Sequence, residues 1–245
     1  MATPRFYHPD ALLPGHPVTL TSNAAAHASR ALRLQAGDEV VLFNGDGNNY
    51  YGKLSAISKQ AVTADILHAV TCDTESPLYI TLVQAISSGD RMDFTIQKAV
   101  EMGVAAIQPV ASQRSIVKLS GDRAEKRREH WQNVVISACE QSGRATIPTV
   151  AMPLGLQDWL AQKHDANTLI TLAPDAPVTL PQIPAPGHRI HLLIGPEGGL
   201  TDDEIRIAAQ YGYTTVRMGP RILRTETAAL AANASMQSLW GDFMR

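Results

Sequence analysis

Two short stretches combine glycine, proline and charge at spacings suited to chemistry. In residues 192–205, LLIGPEGGLTDDEI, an apolar run stops at Gly195, Pro196, Glu197, Gly198 and Gly199. Thr201 with Glu204 three positions on then forms a capping box, the signature of a helix start. The turn reads either as a tight strand-to-helix connection with no ligand or as a cradle. Gly198 and Gly199 let backbone N–H groups come close to a bound molecule. A phosphate cradle of the P-loop type places Lys directly after its glycines. Here Glu197 would repel phosphate, so a cationic or polar ligand fits better: a sulfonium, an amine or ribose hydroxyls. Residues 216–230, VRMGPRILRTETAAL, repeat the pattern. Gly219-Pro220 is followed by Arg221 and Arg224, and Thr225 or Thr227 can cap an Ala-rich helix. Ile222 and Leu223 suit the wall of a flat apolar pocket such as an adenine site; the other reading is a surface loop with two solvated arginines.

Weaker signals accompany these. APDAP, residues 173–177, follows another apolar run and adds a third strand end to the same cleft. Glu140, Gln141, Ser142 and Arg144 sit where a long helix stops. Arg114 and Lys118 follow a strand, and residues 91–130 carry eight basic against five acidic side chains, a local excess of three in a chain of net charge −2. That excess reads as a weak basic patch or as a solvated helix face. His188 and His191 are spaced i, i+3 but would face opposite sides of a strand, so no metal site is expected.

The elements that must position these residues follow from periodicity. Runs at 18–20, 39–43, 50–57 and 61–67 read as strands of a small β-rich module with one helix near 23–34; NGDGNN, 44–49, is its hairpin loop. TCDTESP, 71–77, reads as a linker. Beyond it, strands near 78–86, 105–110, 167–173, 189–195 and 213–219 alternate with helices near 91–103, 121–142, 156–163, 201–212 and 225–240. Such alternation means a mostly parallel sheet covered by helices on both faces. The proline-rich stretch 173–188 reads as an extended surface loop. The opening residues lack a signal core and no apolar run nears the roughly 18 residues of a membrane span. Cys72 and Cys139 fit no metal or redox spacing, which points to reduced thiols and a cytoplasmic protein.

Six blocks in order, RFYHPD, GDRMDFTIQKAVEMGV, QRSIVKL, HWQNVVISACEQSGR, LIGPEGGLTDDEI and MGPRILRTETAAL, closely resemble the bacterial 16S ribosomal RNA uridine N3-methyltransferases, the RsmE family of the SPOUT or α/β-knot superfamily. The resemblance implies a PUA-like β-barrel that helps bind RNA over 1–72 and a trefoil-knotted methyltransferase domain over 78–245. It implies S-adenosyl-L-methionine as cofactor, 16S rRNA within the small subunit as substrate, a homodimer, and neither metal nor membrane. Small residues at 228, 229, 231, 232 and 234 suit close packing of the last helix in such a dimer. The family's cofactor loops fall on Leu172 and Ala173, on Ile194 to Gly199 (Ile194, Gly195, Pro196, Glu197, Gly198, Gly199), and on Met218, Gly219, Ile222, Leu223, Arg224, Thr225, Thr227 and Ala228. Where the family often carries Lys before GDRMD, this chain has Ser87 and Ser88, so no phosphate contact is expected there.

Methyl transfer to uracil N3 requires loss of the N3 proton, hence a base or a stabiliser of the anion. Arg221, Arg224 and Arg144 are the candidate stabilisers, since arginine stays charged and donates in a fork. Glu226 or Glu197 is the candidate base, unless either holds the cofactor amine or an arginine. Arg5, Arg30, Arg33, Arg114 and Lys118 are the candidate RNA contacts. Three alternatives stand beside this reading: a knotted ribose 2′-O-methyltransferase, a ribosome-binding protein without catalysis, and a metabolic α/β enzyme using a nucleotide cofactor.

Overall fold

The computed structural model describes residues 3–58, 61–115 and 121–244. It divides into two compact units, one of residues 1–75 with 139–147 and one of residues 76–138 with 148–245. The stretch 139–147 therefore goes with the N-terminal unit although it lies within 78–245 in sequence.

The first unit is a five-stranded sheet in the order β1-β3-β4-β5-β2, from β1 (Arg5–Tyr7), β2 (Pro17–Thr19), β3 (Glu39–Phe43), β4 (Asn48–Ile57) and β5 (Val62–Thr71). β3 and β4 form the expected hairpin, with Gly45 and Gly47 at φ of 96° and 87° in its loop. The pairing leaves β1 and β2 at opposite ends of the order, and His8 Nε2, just after β1, donates to the Thr19 carbonyl of β2 at 3.1 Å, so the sheet curls back on itself as the expected barrel-like module does. β1 itself was not expected; three residues are too few to show a period. α1 (Ser22–Ala26) passes directly into a π-helical turn, His27–Ala31, and Ala24 and Ala28 pack onto Phe6, Leu42, Leu54 and Ile66. The segment 139–147 completes this unit: Glu140 Oε1 accepts the Tyr7 N–H at 2.9 Å and the Arg144 carbonyl accepts Arg5 Nη2 at 3.1 Å.

The second unit is built on parallel strands in the order β11-β13-β10-β12-β6-β7-β8. These are β6 (Tyr79–Ala85), β7 (Ala106–Ala111), β8 (Thr149–Val150), β10 (Thr168–Leu172), β11 (Val178–Thr179), β12 (Arg189–Ile194) and β13 (Thr214–Arg217), with β9 (Leu154–Gly155) also on β7. Ile80, Leu82, Val83, Ile190, Leu192 and Leu193 are all buried, as strands covered on both faces require. Side chains alternate between the faces. Val83, Ala85 and Leu193 pack with Trp159 and Leu160 of α4 (Leu156–Leu160) and Ala208 of α5 (Asp202–Gln210). α2 (Gly89–Glu101) packs on α6 (Thr225–Trp240), which also meets β12. α3 (Asp122–Ser142) buries Trp131, Val135, Ala138 and Cys139 at the expected spacing.

Two expectations change. The stretch 173–188 is not wholly a surface loop: Val178 and Thr179 pair with Val216 and Arg217, and Leu180 and Ala176 are 2% and 3% exposed. Proline density hid a strand only two residues long. The helix expected over 156–163 stops at Leu160, and His164 Nε2 donates to the Trp159 carbonyl at 2.8 Å.

Candidate active site

β13, β10 and β12 lie side by side in the sheet, and the loops leaving their carboxyl ends surround a cavity of about 680 Å³. Ligands of open α/β sheets bind at this position. The volume lies in the range of sites that hold a nucleotide-sized molecule. The first loop contributes Leu172, Ala173, Pro174, Asp175, Ala176 and Pro177; the second contributes Ile194 to Leu200; the third contributes Met218, Gly219, Arg221, Ile222 and Leu223, with Thr225 and Ala228 from the start of α6.

The second loop is held by backbone fit. Gly199 N–H donates to the Pro196 carbonyl at 2.8 Å, and Gly199 has φ of 69°, a region that favours glycine. Gly195 is needed for space: a Cβ there would lie 2.8 Å from Leu200 N and 3.0 Å from Gly199 C, both backbone atoms. The capping box is formed as expected. Thr201 Oγ1 accepts from Glu204 N–H at 3.2 Å, and Glu204 Oε2 accepts from Thr201 N–H at 2.9 Å. The other Glu204 oxygen accepts the Gln113 N–H at 2.7 Å, tying α5 to the segment after β7.

Glu197 faces α2. Its Oε1 accepts the Ser88 N–H at 2.9 Å, the Ser88 hydroxyl at 2.7 Å and Arg91 Nη1 at 3.0 Å. Burial pushes this carboxyl up, but the two Ser88 donors, its own N–H and the Arg91 guanidinium outweigh burial and hold it down at about 2. A carboxylate is therefore present at every working pH, and it is a poor base. Its place at the N-terminus of α2 adds the favourable end of the helix dipole. Oε2 is buried without a hydrogen-bond partner. Of the two serines before GDRMD, Ser88 is thus the one that holds this acid.

Arg114 also serves the turn. Its Nη1 donates to the Gly198 carbonyl at 2.8 Å, and its side chain lies against Gly198, where a Cβ would meet Arg114 Cβ at 3.3 Å. Arg221 and Ile222 stand at the cavity in exposed positions, Ile222 85% exposed, so the apolar wall expected from Ile222 is open to solvent on one side.

Other candidates lie elsewhere. Arg224, Glu226 and Thr227 are not among the residues lining the cavity, although Thr225 and Ala228 on the same helix are. Arg224 is exposed at the start of α6, where its carbonyl accepts the Ala228 N–H at 2.8 Å. Glu226 is half-buried, with Oε2 lacking a partner. Arg144 belongs to the N-terminal unit and is 3% exposed, its guanidinium forked on Glu75, with Nε at 3.0 Å from Oε1. Arg5 is half-buried there too, bonded to Asn49 Oδ1 at 2.8 Å and stacked 4.9 Å from the Phe43 ring centroid. Arg30 and Arg33 are exposed, Arg33 with φ of 55°. Lys118 lies outside the described residues.

Sequence reasoning missed Gln84 and Arg206, counted Arg91 only among the basic residues of 91–130, and marked the loop holding Asp175 without giving that acid a role. A lone amide in the otherwise apolar run LYITLVQAI is the signal that would have found Gln84. Among the described residues no cluster of three or more His, Cys, Asp or Glu can hold a metal, and no helix is long and apolar enough to cross a membrane.

Comparison with known proteins places this geometry. Residues 74–237 match the RNA methyltransferase domain family, and residues 20–67 match the RNA methyltransferase PUA domain. The chain is 34% identical over 239 residues to the ribosomal RNA small subunit methyltransferase E of Buchnera aphidicola subsp. Schizaphis graminum, covering 98% of this chain and 97% of that one. It superimposes on the crystal structure of a ribosomal RNA small subunit methyltransferase E from Neisseria gonorrhoeae bound to S-adenosyl methionine, with TM-score 0.93 and 48% identity, covering 99% and 100% of the two chains. A Legionella pneumophila methyltransferase in complex with the bound cofactor SAM gives TM-score 0.95 at 36% identity, again covering 99% and 100%.

Proposed function

Since the chain belongs to the ribosomal RNA small subunit methyltransferase E family, we propose that it uses S-adenosylmethionine to methylate N3 of a specific uridine in 16S rRNA. The observation that carries this reading is the cavity ringed by three adjacent strand ends, in a chain that shares its fold with two cofactor-bound relatives. The donor set suits this cofactor. Glu197, ionised and paired with Arg91, fixes the turn, and no lysine follows its glycines to take a phosphate. Leu172, Ala173, Ile194, Met218, Leu223 and Ala228 offer apolar walls, and the Gly195 to Gly199 backbone offers polar contacts, with the Thr225 hydroxyl holding that backbone at the Gly195 carbonyl. These residues would hold the cofactor, which supplies an already activated methyl group when bound.

The chain's remaining task is alignment and removal of the N3 proton. Arg221, at the cavity and exposed, stabilises the charge that builds on uracil O2 or O4 as the proton leaves. Arg224, three residues on, supports it. Glu226 is the base in this reading, because Glu197 is held at low pKa by its donors; Arg144, forked on Glu75, is set aside as a stabiliser. Arg30 and Arg33 on the N-terminal unit are the RNA contacts; their neutralisation would flatten the salt dependence of RNA binding. Two copies pair through the half-buried Ala228, Ala231 and Ala234 of α6, while Ala229 and Ala232 face inward; a single-copy mass in sedimentation would end that part. The protein works in the cytoplasm.

The decisive test incubates small ribosomal subunits lacking the modification with methyl-labelled cofactor and analyses the nucleosides. Label in 3-methyluridine is expected, with a sharp loss for Arg221→Ala. Label in a 2′-O-methylated nucleoside, or no transfer, would overturn the reading.

A further inference from the structure

We infer that Gln84 is the positioning residue of the cofactor cradle: it locks the 195–199 turn and the start of α6 to one another through the Thr225 hydroxyl. This rests on the cofactor reading above. Gln84 lies in the middle of the sheet on β6, beside Ile194 of β12, and has no exposed surface. A primary amide in such a strand is costly unless its hydrogen bonds are made. Its Nε2 lies 3.0 Å from Thr225 Oγ1, 3.0 Å from the Ala85 carbonyl and 3.5 Å from the Gly195 carbonyl. The Thr225 hydroxyl in turn donates to the Gly195 carbonyl at 2.6 Å.

The direction of this relay follows from donor counting. Thr225 has one hydroxyl proton, and Gly195 O takes it, so only a lone pair of Oγ1 faces Gln84. Acceptors therefore surround one corner of the amide, and the two protons of an N–H₂ group serve the Thr225 oxygen and the Ala85 carbonyl at 3.0 Å, with the Gly195 carbonyl a long third contact at 3.5 Å. Oε1 is left without a partner, which marks the donor end as the end that the fold uses. Gly195 opens the second cavity loop, and Thr225 is the first residue of α6, where the third loop ends. The relay thus joins two walls of the cavity through a side chain that does not line it.

The test measures cofactor affinity by calorimetry on the full chain, for wild type, Gln84→Met, Gln84→Glu, Thr225→Val and the double variant Gln84→Met/Thr225→Val. Each single variant is expected to weaken S-adenosylmethionine binding about tenfold, the scale of one well-placed hydrogen bond. Gln84→Glu weakens it at least as much, because its oxygens face acceptors. The cofactor KM should rise by the same factor while kcat at saturation changes less than about twofold. The double variant should be no worse than the poorer single one, since both break one relay. Additive losses, or unchanged affinity in both singles, would overturn the inference. If Gln84→Met does not fold, Thr225→Val carries the test. If wild type binds no cofactor, the function reading falls, and amide hydrogen exchange then decides the relay. Faster exchange in both 195–199 and 218–224 upon substitution supports it; unchanged exchange overturns it.

Discussion

At Glu197 one carboxylate oxygen gathers three donors, two from Ser88 and one from Arg91, and this concentration of hydrogen bonds keeps the acid ionised. Glu197→Gln retains the shape but loses the charge that strengthens these bonds, so cofactor affinity should fall about tenfold. The acid also ties stability to pH. Its pKa of about 2 in the folded chain lies below the ordinary 4.5, so its stabilisation is complete above about 4.5 and is lost as the pH falls toward 2. Urea unfolding of wild type and Glu197→Gln should be well separated at pH 6 and should converge as the pH falls from about 4.5 toward 2. A constant separation would show that the charge contributes nothing. Residue type and spacing alone marked this acid and both flanking glycine turns. The partners of Glu197 were not legible, because Ser88 and Arg91 come from a helix more than a hundred positions away. Arg144 shows the same limit: an arginine at a helix end looks available until Glu75 folds onto it.

Among elements, the turn between β12 and α5 separates two uses of glycine. At Gly195 an added methyl meets backbone atoms that have nowhere to go, so Gly195→Ala should cost about 1–3 kcal/mol as an overpacking change. Gly199 has open space around it but a φ of 69°, so Gly199→Ala should cost about 1 kcal/mol from backbone strain alone. Chemical denaturation of both variants checks the order; equal midpoints with wild type would remove the packing argument. The elements that sequence defined best carry local signals. Thr201 and Glu204 set the start of α5, and the Ala-rich run 225–240 matches α6 in full. The strands missed, β1, β8, β9 and β11, are two or three residues long and exist only through pairing with β3, β7 and β13.

Over the whole molecule, two features escape any local reading. The first is acid sensitivity centred on β12. His191 is 8% exposed beside Trp159, His164 and Arg189, and burial, followed by the charges of His164 and Arg189, pushes its pKa down to about 4. An unfolded histidine titrates near 6.5, so the unfolded chain binds the extra proton first and stability falls as the pH drops from about 6.5 to 4. His191→Leu should flatten that part of the stability curve; an identical curve would assign the loss to other groups. The second feature is that the N-terminal unit is assembled from two separated pieces of sequence, 1–75 and 139–147. No composition shift marks the start of the second piece, because its first four residues, 139–142, are the last turn of α3.

Synthesis on the ribosome proceeds from the first residue onward, so this division has a cost in time. By the time Thr71 emerges, every strand of the first sheet has been made, yet the outer N–H of Tyr7 still lacks Glu140. At a translation rate of about 5–20 residues per second, the nascent sheet waits roughly 3–15 s with an uncovered margin. During that wait β1 is open to pairing with any other extended strand nearby, and only arrival of the end of α3 closes it.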